Sequence, residues 1–124
     1  MAGQTILLVD DETPVRELAA DVLREEGYVV VEAQNGREAV RYIEQRRLPE
    51  GNLALVLLDM MLPELDGLGV LRHVSTHSGA LPVVAMSASS QHLAEAEAAG
   101  ARATLAKPFD LDALLKVVER TIAA

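Results

Sequence analysis

The sequence contains no cysteine and no tryptophan, and its only aromatic side chains are those of Tyr28, Tyr42 and Phe109. Without cysteine, the chain can form no disulfide framework, no thiolate nucleophile and no cysteine-ligated metal site. With three aromatic rings it offers no stacking platform for single-stranded nucleic acid. The core therefore has to be filled by aliphatic side chains and methionine.

Positive charge is also scarce, because 11 Lys and Arg stand against 19 Asp and Glu, for a net charge of −8. A chain this acidic is a poor partner for a phosphate backbone, so we expect no direct binding of nucleic acid. The longest continuous apolar run, residues 53–58, is too short to cross a membrane. Asp10 and Asp11 follow the N-terminus too closely for a signal peptide. We therefore expect a cytoplasmic protein with no membrane partner.

The length of 124 residues predicts a single domain over residues 1–124. Short apolar runs without polar alternation indicate parallel strands that are covered on both faces. These runs are residues 6–9, 28–31, 53–58, 81–86 and, more weakly, 102–106. Helical patterns separate them, so the chain reads as a β-strand followed by an α-helix five times over.

The first helical pattern has apolar residues at helical spacing, namely Val15, Leu18, Ala19, Val22 and Leu23. Thr13 is its expected N-cap, Pro14 its first residue and Gly27 its stop. A second helix is expected from about residue 37 to 47, burying Ala39, Val40 and Ile43. A third follows Gly67 and buries Leu68, Leu71 and Val74. The fourth spans residues 91–99, and the fifth follows Asp110 as cap and buries Leu111, Leu114, Leu115, Val118 and Ile122.

This order predicts an α/β fold: one doubly wound, five-stranded parallel sheet of flavodoxin-like topology with helices on both faces. In such sheets, sites form beyond the carboxyl ends of the strands, where the strand order reverses. For the strand order 2-1-3-4-5, the reversal lies between the first and third strands. The polar residues that follow the strands would then converge on one crevice, and they are Asp10, Asp11, Asp59, Ser87 and Lys107.

These side chains suit phosphoryl chemistry. Three crowded carboxylates repel one another unless a cation is present, and hard oxygen ligands favour Mg²⁺. The metal and Lys107 would neutralise phosphoryl oxygens while a carboxylate serves as the nucleophile and forms an acyl phosphate. Ser87 could then donate a hydrogen bond to the phosphoryl group.

Four stretches carry a resemblance to a known family: ILLVDDE at 6–12, VLLDMMLPELDG at 56–67, VVAMSA at 83–88 and GARATLAKPF at 100–109. Together, and at the ends of the right strands, they resemble the receiver domain of bacterial two-component response regulators over essentially the full chain. The resemblance implies that Asp59 accepts a phosphoryl group from a sensor histidine kinase or a histidine phosphotransfer protein. Such a domain catalyses its own phosphorylation and dephosphorylation, has no separate substrate, and alters the binding of a downstream protein.

The same resemblance assigns roles to the other site residues. Asp11, Asp59 and the backbone carbonyl of Met61 would bind Mg²⁺, and Asp10 would act through water. Ser87 matches the Thr/Ser switch of the family, and Lys107 matches its phosphate-pairing lysine. The peptide bond between Lys107 and Pro108 is expected to be cis.

Two departures from the family concern the output surface. The family usually has an aromatic residue three positions before the lysine, whose ring turns inward on activation, and here that position is Thr104. Ser87 and Gly100 are also closer together than usual, which predicts a short fourth helix or a short loop leading into it. We expect the phosphorylation site to be intact and the signalling route to differ.

Three alternatives remain open at this point. The first is a receiver-like module that binds a partner without phosphorylation, which Thr104 favours. The second is a phosphatase of the haloacid dehalogenase type, although Asp10 and Glu12 match its acid pair poorly. The third is a flavodoxin-like carrier of FMN, which the scarcity of aromatic rings disfavours.

Residues outside the crevice give further expectations. The first helix and the nearby loops are the expected docking surface for the kinase, with specificity resting on Arg16, Asp21 and their neighbours. His73, His77 and His92 are expected on solvated surface with no mutual metal-ligand spacing.

Overall fold

The computed structural model of the chain describes residues 3–45, 52–77 and 79–123. Five strands alternate with five helices in these ranges, as the apolar pattern predicts. The elements are β1 (Thr5–Val9), α1 (Thr13–Glu25), β2 (Val29–Ala33), α2 (Gly36–Glu44), β3 (Leu53–Asp59), α3 (Gly67–His77), β4 (Val83–Ser87), α4 (Ser90–Ala98), β5 (Ala103–Ala106) and α5 (Leu111–Ala123).

The strands form one sheet in the order β2-β1-β3-β4-β5, and every neighbouring pair is parallel. The predicted strand order is therefore confirmed. β1 lies between β2 and β3, so the chain reverses its winding direction between β1 and β3. The carboxyl ends of β1, β3, β4 and β5 consequently meet along one edge of the sheet.

The core consists of two apolar layers, one on each face of the sheet. Alternate residues of β1 supply both, since Leu7 and Val9 pack in one layer while Ile6 and Leu8 pack in the other. This two-sided burial explains why the strands read as continuous apolar runs.

The first helix differs from its prediction at its N-cap. It begins at Thr13 itself, and its N-cap is Glu12, which makes no side-chain capping hydrogen bond. Pro14 still lies in the first turn, where its missing N–H costs nothing. Leu18 is 55% exposed, because the buried stripe is centred on Ala19, Ala20 and Leu23, and Leu18 lies beside it.

The other helices follow the prediction with small shifts. α2 buries Ala39 and Ile43 and ends at Glu44, so the rest of its predicted span lies mostly outside the described residues. α3 buries Val70 and leaves Leu68 half-buried.

α4 runs from Ser90 to Ala98, one residue earlier than expected at each end. The Asp110 carboxylate caps α5 by accepting from the Ala113 N–H at 2.7 Å, as predicted. Leu111 was expected to be buried but lies exposed, because it is the first residue of α5.

Candidate functional site

Three aspartates meet at the carboxyl edge of the sheet. Asp10 directly follows β1, Asp59 is the last residue of β3, and each offers a carboxylate oxygen within 4.8 Å of the other and of Asp11. Asp10 and Asp59 are buried, with 1% and 3% of their surface exposed, whereas Asp11 is exposed. In the described ranges this is the one group of three acidic or histidine side chains close enough to share a metal ion.

Lys107 supplies the positive charge at this cluster. Its Nζ lies 2.7 Å from Asp10 Oδ2 and 3.3 Å from Asp59 Oδ2, with Glu12 Oε1 farther away at 3.6 Å. The lysine follows β5 directly, and the Lys107–Pro108 peptide bond is cis, as the resemblance implies. One ammonium group therefore bridges both buried carboxylates.

Backbone groups fix the carboxylates. The Glu12 N–H donates to Asp10 Oδ1 at 2.9 Å, and the Met61 N–H donates to Asp59 Oδ1 at 2.9 Å. Each carboxylate thus has one oxygen on a backbone donor and the other on Lys107. The Met61 N–H and the Lys107 ammonium group therefore orient the Asp59 carboxylate.

The pKa of Asp59 is raised above its ordinary value. Burial is the largest cause, and the charge of Asp10 adds to it, while the Met61 N–H and Lys107 act in the opposite direction. For Lys107, burial alone would lower the pKa, but the hydrogen bond and charge of Asp10, with help from Asp59, raise it overall. Lys107 therefore stays charged beside Asp59.

The remaining residues predicted for the site are Ser87, Thr104 and Met61. Ser87, the last residue of β4, is 1% exposed, and its Oγ accepts a hydrogen bond from the Ser89 N–H at 3.0 Å. Thr104 lies on β5, paired with Ala85 of β4, and is half-buried. Met61 follows the cluster with 60% of its surface exposed.

A cleft of about 720 Å³ opens over the cluster, and we call it the carboxyl-edge cleft. Asp11, Asp59, Met61 and Lys107 line it, whereas Asp10 and Ser87 lie beneath the lining. All the predicted site residues except Thr104 and Pro108 are thus at or directly under one cleft.

Among the lining residues that sequence reasoning did not place at the carboxyl-edge cleft are the ionisable residues His92 and Glu95 of α4. The signal that could have found them is the short spacing from Ser87 to Gly100. Only two residues, 88 and 89, separate β4 from α4, so the first turns of the helix lie against the cleft.

Arg16, which was expected to contribute to docking of the kinase, is engaged within the fold, and its part in docking stays a prediction. Its side chain is 12% exposed, its Nε donates to Glu32 at 3.0 Å, and its Nη1 donates to the Asp10 carbonyl at 2.8 Å. Arg16 therefore ties α1 to β2 and to the end of β1. Asp21 is exposed.

His73 and His92 are half-buried, unlike their expected place on solvated surface, whereas His77 is exposed as expected. His73 and His77 are four residues apart on α3, and their rings stack with centroids 4.2 Å apart. His73 Nε2 lies 3.7 Å from Glu44 of α2. His92 is half-buried in the wall of the carboxyl-edge cleft.

Comparison with known proteins decides the family, because residues 6–119 match the model described as the response regulator receiver domain. The chain belongs to this family. It is 34% identical over 122 residues to sporulation initiation phosphotransferase F of Bacillus subtilis, covering 97% of this chain and 94% of that protein. Several other relatives are longer, and the chain spans about half of them, for example 56% of the transcriptional regulatory protein PdtaR of Mycobacterium tuberculosis.

Solved receiver structures share the fold. The receiver domain of NtrX from Brucella abortus is 34% identical, with a TM-score of 0.87, over 96% of this chain and 98% of that one. The receiver domain of the sensor histidine kinase PA1611 from Pseudomonas aeruginosa is 31% identical, with a TM-score of 0.87, over 99% and 100% of the two chains. That structure has a magnesium ion coordinated in its active-site cleft.

These findings establish the class of function. The chain is a receiver domain, a phosphoacceptor of two-component signalling, and a signalling module rather than a separate catalytic enzyme. Its cluster of aspartates is consistent with a metal site. None of the helices in the described ranges has the length and apolar character needed to cross a membrane.

Proposed function

We propose that Asp59 is the residue that accepts the phosphoryl group. The observation that carries this is its position: it is the buried aspartate that also lines the carboxyl-edge cleft, with Lys107 3.3 Å from its Oδ2. Asp10 is buried beneath the lining with its Oδ2 held by Lys107 at 2.7 Å. Asp11 is exposed and has no lysine at this distance among the described residues.

The reaction needs Asp59 as a carboxylate. One of its oxygens attacks the phosphorus of a phosphohistidine, and the P–N bond breaks with its electron pair going to the imidazole. The charge on Lys107 stabilises the phosphoryl oxygens, and the Ser87 hydroxyl can donate to them while still accepting from the Ser89 N–H. The residues therefore supply a nucleophile, a cation and a donor.

The aspartate cluster fits Mg²⁺, because hard carboxylate oxygens that lie within 4.8 Å of one another suit this ion. Asp11, Asp59 and the Met61 carbonyl would hold the ion, with Asp10 acting through water. When bound, Mg²⁺ neutralises charge on the phosphoryl oxygens. The magnesium in the PA1611 receiver domain supports this assignment.

The phosphoryl donor is a sensor histidine kinase or a histidine phosphotransfer protein, and we place its docking surface beside the cleft. An apolar groove there is lined by Val15, Leu18, Pro108, Phe109 and Leu111, and shares Lys107 with the carboxyl-edge cleft. Leu18 is the exposed apolar side chain that α1 contributes to this groove. The output partner is a downstream protein, and a cytoplasmic location stays a prediction from composition.

Chemical trapping tests the acceptor. Borohydride reduces an aspartyl phosphate to homoserine, so peptide mass mapping after treatment with acetyl phosphate and Mg²⁺ should place homoserine at position 59. Homoserine at position 10 or 11 would contradict the assignment.

Variants test the metal and the docking surface. Asp11→Asn should weaken Mg²⁺ binding, measured by calorimetry, much more than Asp66→Asn, an exposed acid on the same cleft. Leu18→Glu should slow transfer from a phosphorylated kinase and spare labelling by acetyl phosphate. Equal slowing with both donors would contradict the docking surface.

A second function, binding without phosphorylation, is favoured by Thr104, which has no ring to reorient. It predicts the same partner affinity with and without the phosphoryl analogue beryllofluoride. A change in affinity on adding the analogue would exclude it.

A further inference from the structure

His92 is held at the carboxyl-edge cleft by the short connection between β4 and α4. The Ser89 N–H donates to Ser87 Oγ at 3.0 Å, and Ser89 Oγ in turn accepts from the His92 N–H at 3.3 Å. These two hydrogen bonds run from the buried end of β4 to the first turn of α4. They fix the backbone of His92 beside the cleft that Asp59 lines.

Among the side chains that line the cleft, the imidazole of His92 differs from the others in its proton chemistry. The other ionisable side chains of the lining are acids, together with Lys107, which already contacts Asp10 and Asp59. Met61 is apolar and can accept no proton. His92 is the one side chain of the described lining that can accept a proton without bringing negative charge towards a phosphoryl group.

The imidazole is also free to act. His92 Nδ1 is buried and has no hydrogen-bond partner among the described residues. Because a buried nitrogen is out of reach of solvent, the nitrogen available to a water molecule in the cleft is Nε2.

We propose that His92 is a catalytic residue for loss of the phosphoryl group from Asp59, an inference that rests on the proposed function. A water oxygen forms a bond to phosphorus while the Asp59 O–P bond breaks, and that electron pair stays on the Asp59 carboxylate. His92 accepts the proton of the attacking water and returns it to the phosphate or to solvent. The products are inorganic phosphate and the original aspartate.

A base at His92 would act on the loss of the phosphoryl group and not on its uptake. During uptake, the leaving group of the donor lies opposite Asp59 across the phosphorus, and no water has to be deprotonated. During loss, water lies at that position. A change at His92 should therefore alter the ratio of the two rate constants.

The test loads the intact chain with acetyl phosphate and Mg²⁺, removes the donor, and follows the phosphorylated mass with time. His92→Ala should lose the phosphoryl group about tenfold more slowly. This is less than general acid–base catalysis usually gives, because the transition state is loose. The rate of uptake should fall by a smaller factor, and added imidazole should partly restore the rate of loss. His77→Ala, a change at an exposed histidine of α3, is the matched control and should behave as the wild type.

Several outcomes would overturn the role of His92. These are an unchanged rate of loss in His92→Ala, a parallel fall in uptake and loss without rescue by imidazole, or a larger effect of Glu95→Gln on the same helix face. If the wild type takes up no phosphoryl group, the proposed function fails and this inference fails with it. If the wild type is labelled and the loss is unaffected by His92→Ala, only the inference fails.

Discussion

At the scale of single residues, Asp59 is kept in a position that favours reactivity over stability. Its carboxylate is buried beside the buried acid Asp10, and one lysine serves both. Burial and the second charge raise its pKa, so the folded chain binds this proton more tightly than the unfolded chain does. The charged form of Asp59 therefore lowers the free energy of unfolding.

Asp59→Asn should stabilise the chain by about 1 kcal/mol at pH 7 without Mg²⁺, because it removes the buried charge and leaves Lys107 paired with Asp10. The wild type should lose stability as the pH rises from the ordinary pKa of 3.8 to the raised pKa of Asp59. The gain from Asn should consequently be absent below that window and complete above it. Urea unfolding at several pH values measures this.

Asp21→Asn is the control, since Asp21 is exposed and should change stability little at any pH. A loss of stability in Asp59→Asn at pH 7 would show that the carboxylate is well compensated in the fold, contrary to this account.

The sequence was sufficient to predict which residues at the strand ends reach the site, because polar residues that follow parallel strands meet at one edge of the sheet. It could not separate buried Asp10 from exposed Asp11, which are adjacent in the chain. Nor could it place Arg16 or His92, since their surroundings depend on how helices pack across loops of a given length.

At the scale of elements, the loop between β3 and α3 packs against the start of α2. A Cβ added to Gly36 would lie 1.8 Å from the Leu65 carbonyl oxygen, and one added to Gly69 would meet the Leu65 side chain at 2.6 Å. Two glycines thus form a notch that holds Leu65. The loop held in this way carries Met61, which orients Asp59.

Gly36→Ala should therefore destabilise the chain by about 2–3 kcal/mol, because the obstacle is backbone and cannot rotate away. It should also weaken Mg²⁺ binding through displacement of Met61. Thermal unfolding and calorimetry measure the two effects.

Gly79→Ala is the matched control, since its Cβ would be 3.6 Å from the nearest atom, an ordinary contact. Equal stability of the Gly36→Ala and Gly79→Ala variants would show that the loop yields freely, against the notch described here.

α1 is joined to β2 by Glu32, which receives both Arg16 at 3.0 Å and Arg24 at 3.3 Å. A double-mutant cycle between Arg16 and Glu32 should give a coupling of about 1 kcal/mol, since this pair is largely shielded from solvent. The exposed pair Arg37 and Glu64, 3.8 Å apart, should give almost none. Equal coupling energies for the two ion pairs would contradict the expectation that the shielded pair stabilises the fold more than the exposed pair.

The order and type of the elements were predictable because each strand is an apolar run and each helix has apolar residues at helical spacing. Element ends were less so. The N-cap of α1 is Glu12 and not Thr13, and Leu18 lies outside the buried stripe of Ala19, Ala20 and Leu23 although it shares the apolar spacing.

At the scale of the whole molecule, one parallel sheet divides the core into two layers and gathers the chemistry at one edge. The route from that edge to the output surface stays a prediction. Thr104 stands where a ring is usual, and the hydrogen bonds from Ser87 through Ser89 to α4 offer a different connection.

The central claim is that Asp59 takes up one phosphoryl group in a reaction that needs Mg²⁺. Intact-mass spectrometry after incubation with acetyl phosphate, with and without Mg²⁺, tests it most directly on the wild type and Asp59→Asn. The account predicts a single phosphoryl adduct on the wild type with Mg²⁺ and none on the variant. No adduct on the wild type, under conditions that label an established receiver domain, or an equal adduct on Asp59→Asn, would contradict it.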